Sequence, residues 1–233
     1  MFEKCKRKYL HRQYLRENQK NFLLPQTYSF GRVMQNVRGW VEFAQGDHPR
    51  RDAIPLLDFL IDTVKEDLRT SAAAELLYAA DCDPRDWREA LFPFVGWLQD
   101  IPREVVPFAG NTVVSSIYDW VKISHSAYDI RNKGFHADWN YFSGVYYPEL
   151  HLIGINNGLH HSCAAATFQE NGEIELNVYS LKRLFPLVTT DGEFWYRREV
   201  PGTTLPVLDV RMAILFELAR IKDNLENLFH ETD

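Results

Sequence analysis

A chain of 233 residues, 45% hydrophobic, 14% aromatic and 25% charged, is long enough for one domain with a real core. Its apolar runs all fall short of a bilayer span, and its net charge of −6 excludes a general DNA-coating protein, whose affinity comes from cations on phosphates. Cys5, Cys82 and Cys163 are scattered and lack CxxC spacing, which argues against a disulfide framework or a cysteine zinc site; the Lys/Arg-rich start has no hydrophobic signal core, so a cytoplasmic protein with no membrane partner is expected.

The first twenty residues carry a net charge of +5 against −11 for the remainder. Lys4, Arg7, Lys8 and Arg12 interleave there with Tyr9 and Tyr14, a combination suited to tracking a phosphate backbone and stacking on bases, or equally to a solvated basic helix. Phe30, Val33, Val37, Val41 and Ala44 then predict a helix ended by Gly46. Leu56, Leu57, Leu60, Ile61, Val64 and Leu68 predict a second, followed by a short Ala-rich piece over residues 71–80. Asp83-Pro84 reads as an N-cap with proline at the first helical position, opening a helix kinked at Pro93. Pro102, Pro107 and Gly110 mark a linker, after which Asn111 or Thr112 caps the next helix.

Along that helix Val114, Tyr118, Val121, His125, Tyr128, Asn132 and Phe135 recur at three- and four-residue steps, as one helical face requires. His125, Asp129, Asn132 and His136 line one edge if the helix continues through Gly134, with Arg131 beside them. Past residue 140 the texture changes. Ile174, Leu176 and Val178 alternate as in a half-buried strand, and Asn171-Gly172 and Asp191-Gly192 predict two hairpins. From Pro206 the apolar spacing returns to helical, through Leu208, Met212, Leu215, Ala219 and Leu225. The chain thus reads as one mainly α domain: a helical bundle over residues 1–140, a small antiparallel β-hairpin insertion over 145–200 before the last helix, and a closing helix over 206–230.

Arg131-Asn132 followed by His136 resembles the motif of the HEPN (higher eukaryotes and prokaryotes nucleotide-binding) family, an Arg followed after four to six residues by His, with a polar residue next to the Arg. The resemblance implies a HEPN-like bundle, often a homodimer, and metal-independent endoribonuclease activity of a toxin or defence kind, with RNA as substrate, an antitoxin or other partner protein, and no cofactor or metal. In the implied mechanism His136 moves the proton of a ribose 2′-hydroxyl, Arg131 holds the phosphate oxygens, and Asn132 orients them. Asp129 and His125 are supporting candidates, and Lys133 joins the basic arm in contacting RNA. Asp138 stands two residues after the histidine, where relatives paired with nucleotidyltransferase antitoxins carry a modifiable tyrosine.

Each residue also has a plainer reading. Arg131 complements a helix C-terminus, and Asp129 with Lys133 forms an i, i+4 ion pair. A non-catalytic nucleotide-, RNA- or protein-binding module is the alternative, with Tyr146, Tyr147, Phe194, Trp195 and Tyr196 as a docking surface. A third reading, a metal-dependent hydrolase, draws on His125, His136, His151, His160 and His161, whose spacing matches no standard zinc pattern.

Overall fold

The computed structural model describes residues 30–43, 49–78, 92, 98, 100–136, 142–168, 172–199, 202 and 204–230. These form five helices and eight strands in two sheets, which replaces the expected mainly α bundle by a mixed α/β fold. The stretch taken as linker and start of the motif helix is extended instead, as β1 (Arg103–Pro107) and β2 (Thr112–Val114). Their Val-Val pairs favour strand, and segments of five and three residues are too short to show a period. The expected helix at Asp83-Pro84 and the basic arm with Lys4, Arg7, Lys8 and Arg12 lie outside the described residues. Among those described, no helix is long and apolar enough to cross a membrane.

The chain divides into two compact units, residues 58–184 and the segments on either side. In the first, β3 (Ser143–Tyr147), β4 (Leu152–Asn157) and β5 (Glu173–Val178) join β1 and β2 in the order β1-β5-β3-β4-β2. β2 runs parallel to β4 and β3 parallel to β5, while β3–β4 and β1–β5 are antiparallel. The expected hairpin at Asn171-Gly172 is therefore absent: β5 follows a helix and takes β1 and β3 as neighbours. Gly144 sits where β3 crosses β4; a Cβ there would lie 2.4 Å from the Gly154 carbonyl oxygen.

Helices α3 (Trp120–Lys133) and α4 (Leu159–Phe168) pack on each other and close one sheet face, over Val106, Val113, Ile153, Ile155, Ile174 and Leu176. Helix α2 (Pro49–Tyr78) is one continuous element that takes in the Ala-rich piece as far as Tyr78. Its buried Lys65 donates to the Leu150 carbonyl at 2.7 Å and pairs with Asp62 at 2.8 Å, so a charged side chain is satisfied inside the unit.

The other unit contains α1 (Phe30–Phe43), as the apolar spacing predicts, a three-stranded antiparallel sheet and α5 (Val210–His230). The sheet is β6 (Val188–Thr190), β7 (Phe194–Arg197) and β8 (Thr204–Pro206). The expected turn at Asp191-Gly192 joins β6 to β7. Trp195 and Phe185 both pack edge-on against Phe216 of α5, at 5.4 and 5.3 Å between ring centres.

Candidate functional site

Helix α3 stops at Lys133. Gly134, at φ 75°, ends it by donating its N–H to the Ile130 carbonyl, so the four-residue edge through His136 does not form. His136 lies past the helix end, and its Nε2 donates to the Lys133 carbonyl at 2.7 Å. Asp129 and Lys133 make the i, i+4 ion pair at 2.7 Å, which holds the Asp129 carboxyl below the usual range. Asn132 donates to the Tyr128 carbonyl, and the Arg131 guanidinium stands 5.8 Å from the centre of the Phe168 ring. His125, Arg131, Asn132 and His136 are all exposed. The histidines do not gather either: no group of three or more His, Cys, Asp or Glu among the described residues forms a metal-ligand set.

Where the sheet does bring chemistry together is the carboxyl end of β2 and β4. These neighbours are parallel, and each runs directly into a helix, so the positive N-terminal ends of α3 and α4 lie at one edge of the sheet. The β2–α3 loop leans on the first turn of α4: Ser115 Oγ donates to the Leu159 carbonyl at 2.8 Å, and the Tyr118 N–H donates to His160 Nε2 at 3.4 Å. Tyr118 and His160 also meet edge to face at 4.7 Å.

The two N-termini are finished differently. Helix α3 is capped by its own carboxylate, Asp119 Oδ1 accepting from the N–H groups of Val121 and Lys122. Helix α4 starts on Gly158, whose carbonyl accepts the first helical bond, from Ser162 N–H at 3.0 Å, and which has no side chain to cap with. Gly158 sits at φ +79°, and a Cβ there would lie 2.3 Å from Phe142. The buried hydroxyls of Ser116, in the β2–α3 loop, and Ser162, in the first turn of α4, have no hydrogen-bond partner among the described residues.

A separate cleft of about 630 Å³ is lined by Glu66, Arg69, residues 108–113, Ala166 and Thr167. Arg69 is paired there with Glu66, and the cleft adjoins the last turn of α4, whose outward carbonyls disfavour an anion. The turn from β4 into α4, at a helix N-terminus, therefore suits an anion better than this cleft does.

The family model that matches the chain covers residues 7–229 and describes a family of unknown function, DUF6710. The chain belongs to the DUF6710 family. No curated protein and no solved structure matches it.

Two histidines brace the site in this DUF6710 chain. Because a backbone N–H only donates, His160 Nε2 is the acceptor and the ring's proton sits on Nδ1. Burial, reinforced by Lys122 and opposed by Asp119, holds the His160 pKa below its ordinary 6.5. Burial likewise lowers that of His161, whose Nδ1 meets Ser126 Oγ at 3.2 Å. As pH falls through 6.5 the unfolded chain takes up these protons first. The contribution is therefore complete above 6.5 and is lost as pH drops toward the folded values. The melting temperature is expected to fall between pH 7.5 and 5.5, less steeply in His160→Gln; equal slopes in thermal scans would remove His160 from this role.

Proposed function

We propose that this chain is a cytosolic binding protein for a phosphate-bearing ligand of the nucleotide class, held where β4 turns into α4. The observation that carries the reading is the pair of helix N-termini at the ends of adjacent parallel strands, one capped by a carboxylate and the other opening on a bare glycine. Open α/β sheets take ligands outside the carboxyl ends of their strands, and the free N–H groups of a first helical turn bind phosphate without a cation. Tyr118, beside this turn, offers an aromatic ring, with Lys122 Nζ 3.0 Å from its hydroxyl.

The test is calorimetric titration with inorganic pyrophosphate and the four ribonucleoside triphosphates, comparing the wild type with Asn157→Asp. Asn157 is exposed and its Oδ1 already accepts from Gly158 N–H at 3.1 Å, so a carboxylate fits the same space. A negative charge there favours the helix N-terminus while repelling an anion. The expected result is an unchanged or higher melting temperature with affinity lower by about tenfold. A wild type that binds none of these compounds, or an Asn157→Asp variant that binds them equally, defeats the reading.

RNA cleavage is the second reading. Its support is that Arg131, Asn132 and His136 are all accessible to a large substrate. End-labelled single-stranded RNA incubated in EDTA should be cut by the wild type, leaving 2′,3′-cyclic phosphate ends, and left intact by His136→Ala and Arg131→Ala.

A further inference from the structure

The outer face of α3 is exposed and, among the described residues, carries an unusual share of the large apolar side chains that stand in solvent. Of the seven large apolar side chains exposed among the described residues, three lie on this helix: Trp120 at 54% exposure, Val121 at 63% and Tyr128 at 68%. A fourth, Phe168, adjoins it through Arg131. Helical geometry arranges them. Val121 and Tyr128, seven residues apart, lie above one another at the centre of the face; Trp120 and Arg131 mark one edge, and Lys122 and Lys133 the other.

One ring at the centre, a second at one edge and cations along both edges form a surface on which bases stack while phosphates meet charge. We propose that this face binds single-stranded nucleic acid. Three cations against Asp129 make the helix locally positive on a chain of net charge −6, so this face attracts phosphates that the chain as a whole repels. A docking peptide fits less well. The face is the convex side of a helix, and His125 and Asn132 interrupt the continuous apolar stripe a partner helix needs. Base stacking needs only separate, accessible rings and tolerates polar groups between them. The surface shares Lys122 with the nucleotide site proposed above but not the α4 turn itself, and the inference stands whether or not that turn binds a mononucleotide.

The experiment is fluorescence anisotropy on the full chain with labelled twelve-nucleotide oligouridylate, oligodeoxythymidylate and a twelve-base-pair duplex, in 50 and 200 mM salt. Single strands should bind more tightly than duplex and more weakly at the higher salt. Trp120→Ala and Tyr128→Ala should each weaken binding by about tenfold or more, while Tyr128→Phe, which keeps the ring, should not. Arg131→Ala should lower the salt slope by about one. Similar affinity for both single strands assigns the face to stacking alone; preference for RNA adds contact with the 2′-hydroxyl. No binding at 50 mM salt, equal binding of duplex, loss in Tyr128→Phe matching that in Tyr128→Ala, or displacement of RNA by an equal concentration of an acidic peptide would each overturn the proposal.

Discussion

Gly158→Ala is expected to destabilise the unit containing the five-stranded sheet by about 2–5 kcal/mol and to remove the proposed nucleotide binding with it. Two costs add. At φ +79° an alanine meets its own backbone, which costs roughly 1–2 kcal/mol. Its Cβ would also stand 2.3 Å from Phe142 Cδ1, and Phe142 is held in a row of rings, 5.0 Å from Phe135, which is itself 5.0 Å from Phe108. Moving Phe142 aside breaks this row, a strain of about 1–3 kcal/mol in most cores. Urea unfolding measures the sum, and a cycle with Phe142→Ala separates its parts. In that background the steric cost disappears and the backbone cost remains. If Gly158→Ala is as stable as the wild type, the turn relaxes freely and its glycine does not shape the site.

The elements that follow from local chemistry were legible in the sequence. Ile174, Leu176 and Val178 alternate, and β5 buries all three while exposing Glu173 and Glu175. At Asp191-Gly192 the turn forms as expected, with Asp191 Oδ1 accepting from the N–H groups of Glu193 and Phe194 and Gly192 at φ +84°. The mixed sheet was not legible, because β1 finds β5 and β2 finds β4 only across long intervening stretches, and a three-residue strand carries no period. Helix α3 is instructive. Its existence was readable, but Val121 and Tyr128 face outward, whereas Ser126 and Ile130 are buried and Ile123 and Ala127 pack toward the core. Small residues are needed on that side because α4 approaches with Ser162, Ala164 and Ala165, and a hydrophobicity count undervalues them. The expected helical edge through His136 fails for a related reason. The motif edge assumed a helix running through Gly134, which in fact ends it. Asn156-Asn157-Gly158 has the composition of a turn, but the loop after β2 that leans on it is brought beside it only by the sheet.

Asp209→Ala should have the largest effect of any single substitution considered, a loss of about 3–5 kcal/mol in the unit containing α5. Arg211 is 2% exposed and Asp209 6%. The carboxylate receives Arg211 Nε at 2.9 Å, Nη2 at 2.6 Å and the Arg211 backbone N–H at 3.0 Å, while the Asp209 carbonyl accepts from Met212 N–H. One residue thus caps the helix and neutralises a guanidinium that is almost wholly buried. Removing it leaves a buried cation short of its counter-charge, which costs far more than the pair contributed when intact. Replacing Arg211 as well tests that asymmetry. Asp209→Ala with Arg211→Met should recover much of the loss, because an apolar side chain of similar length fills the space without a charge to satisfy. Denaturation midpoints for the two single variants and the double variant decide the matter. If the double variant is less stable than Asp209→Ala, Arg211 holds the unit together through its other contacts and the ion pair is not what makes Asp209 necessary.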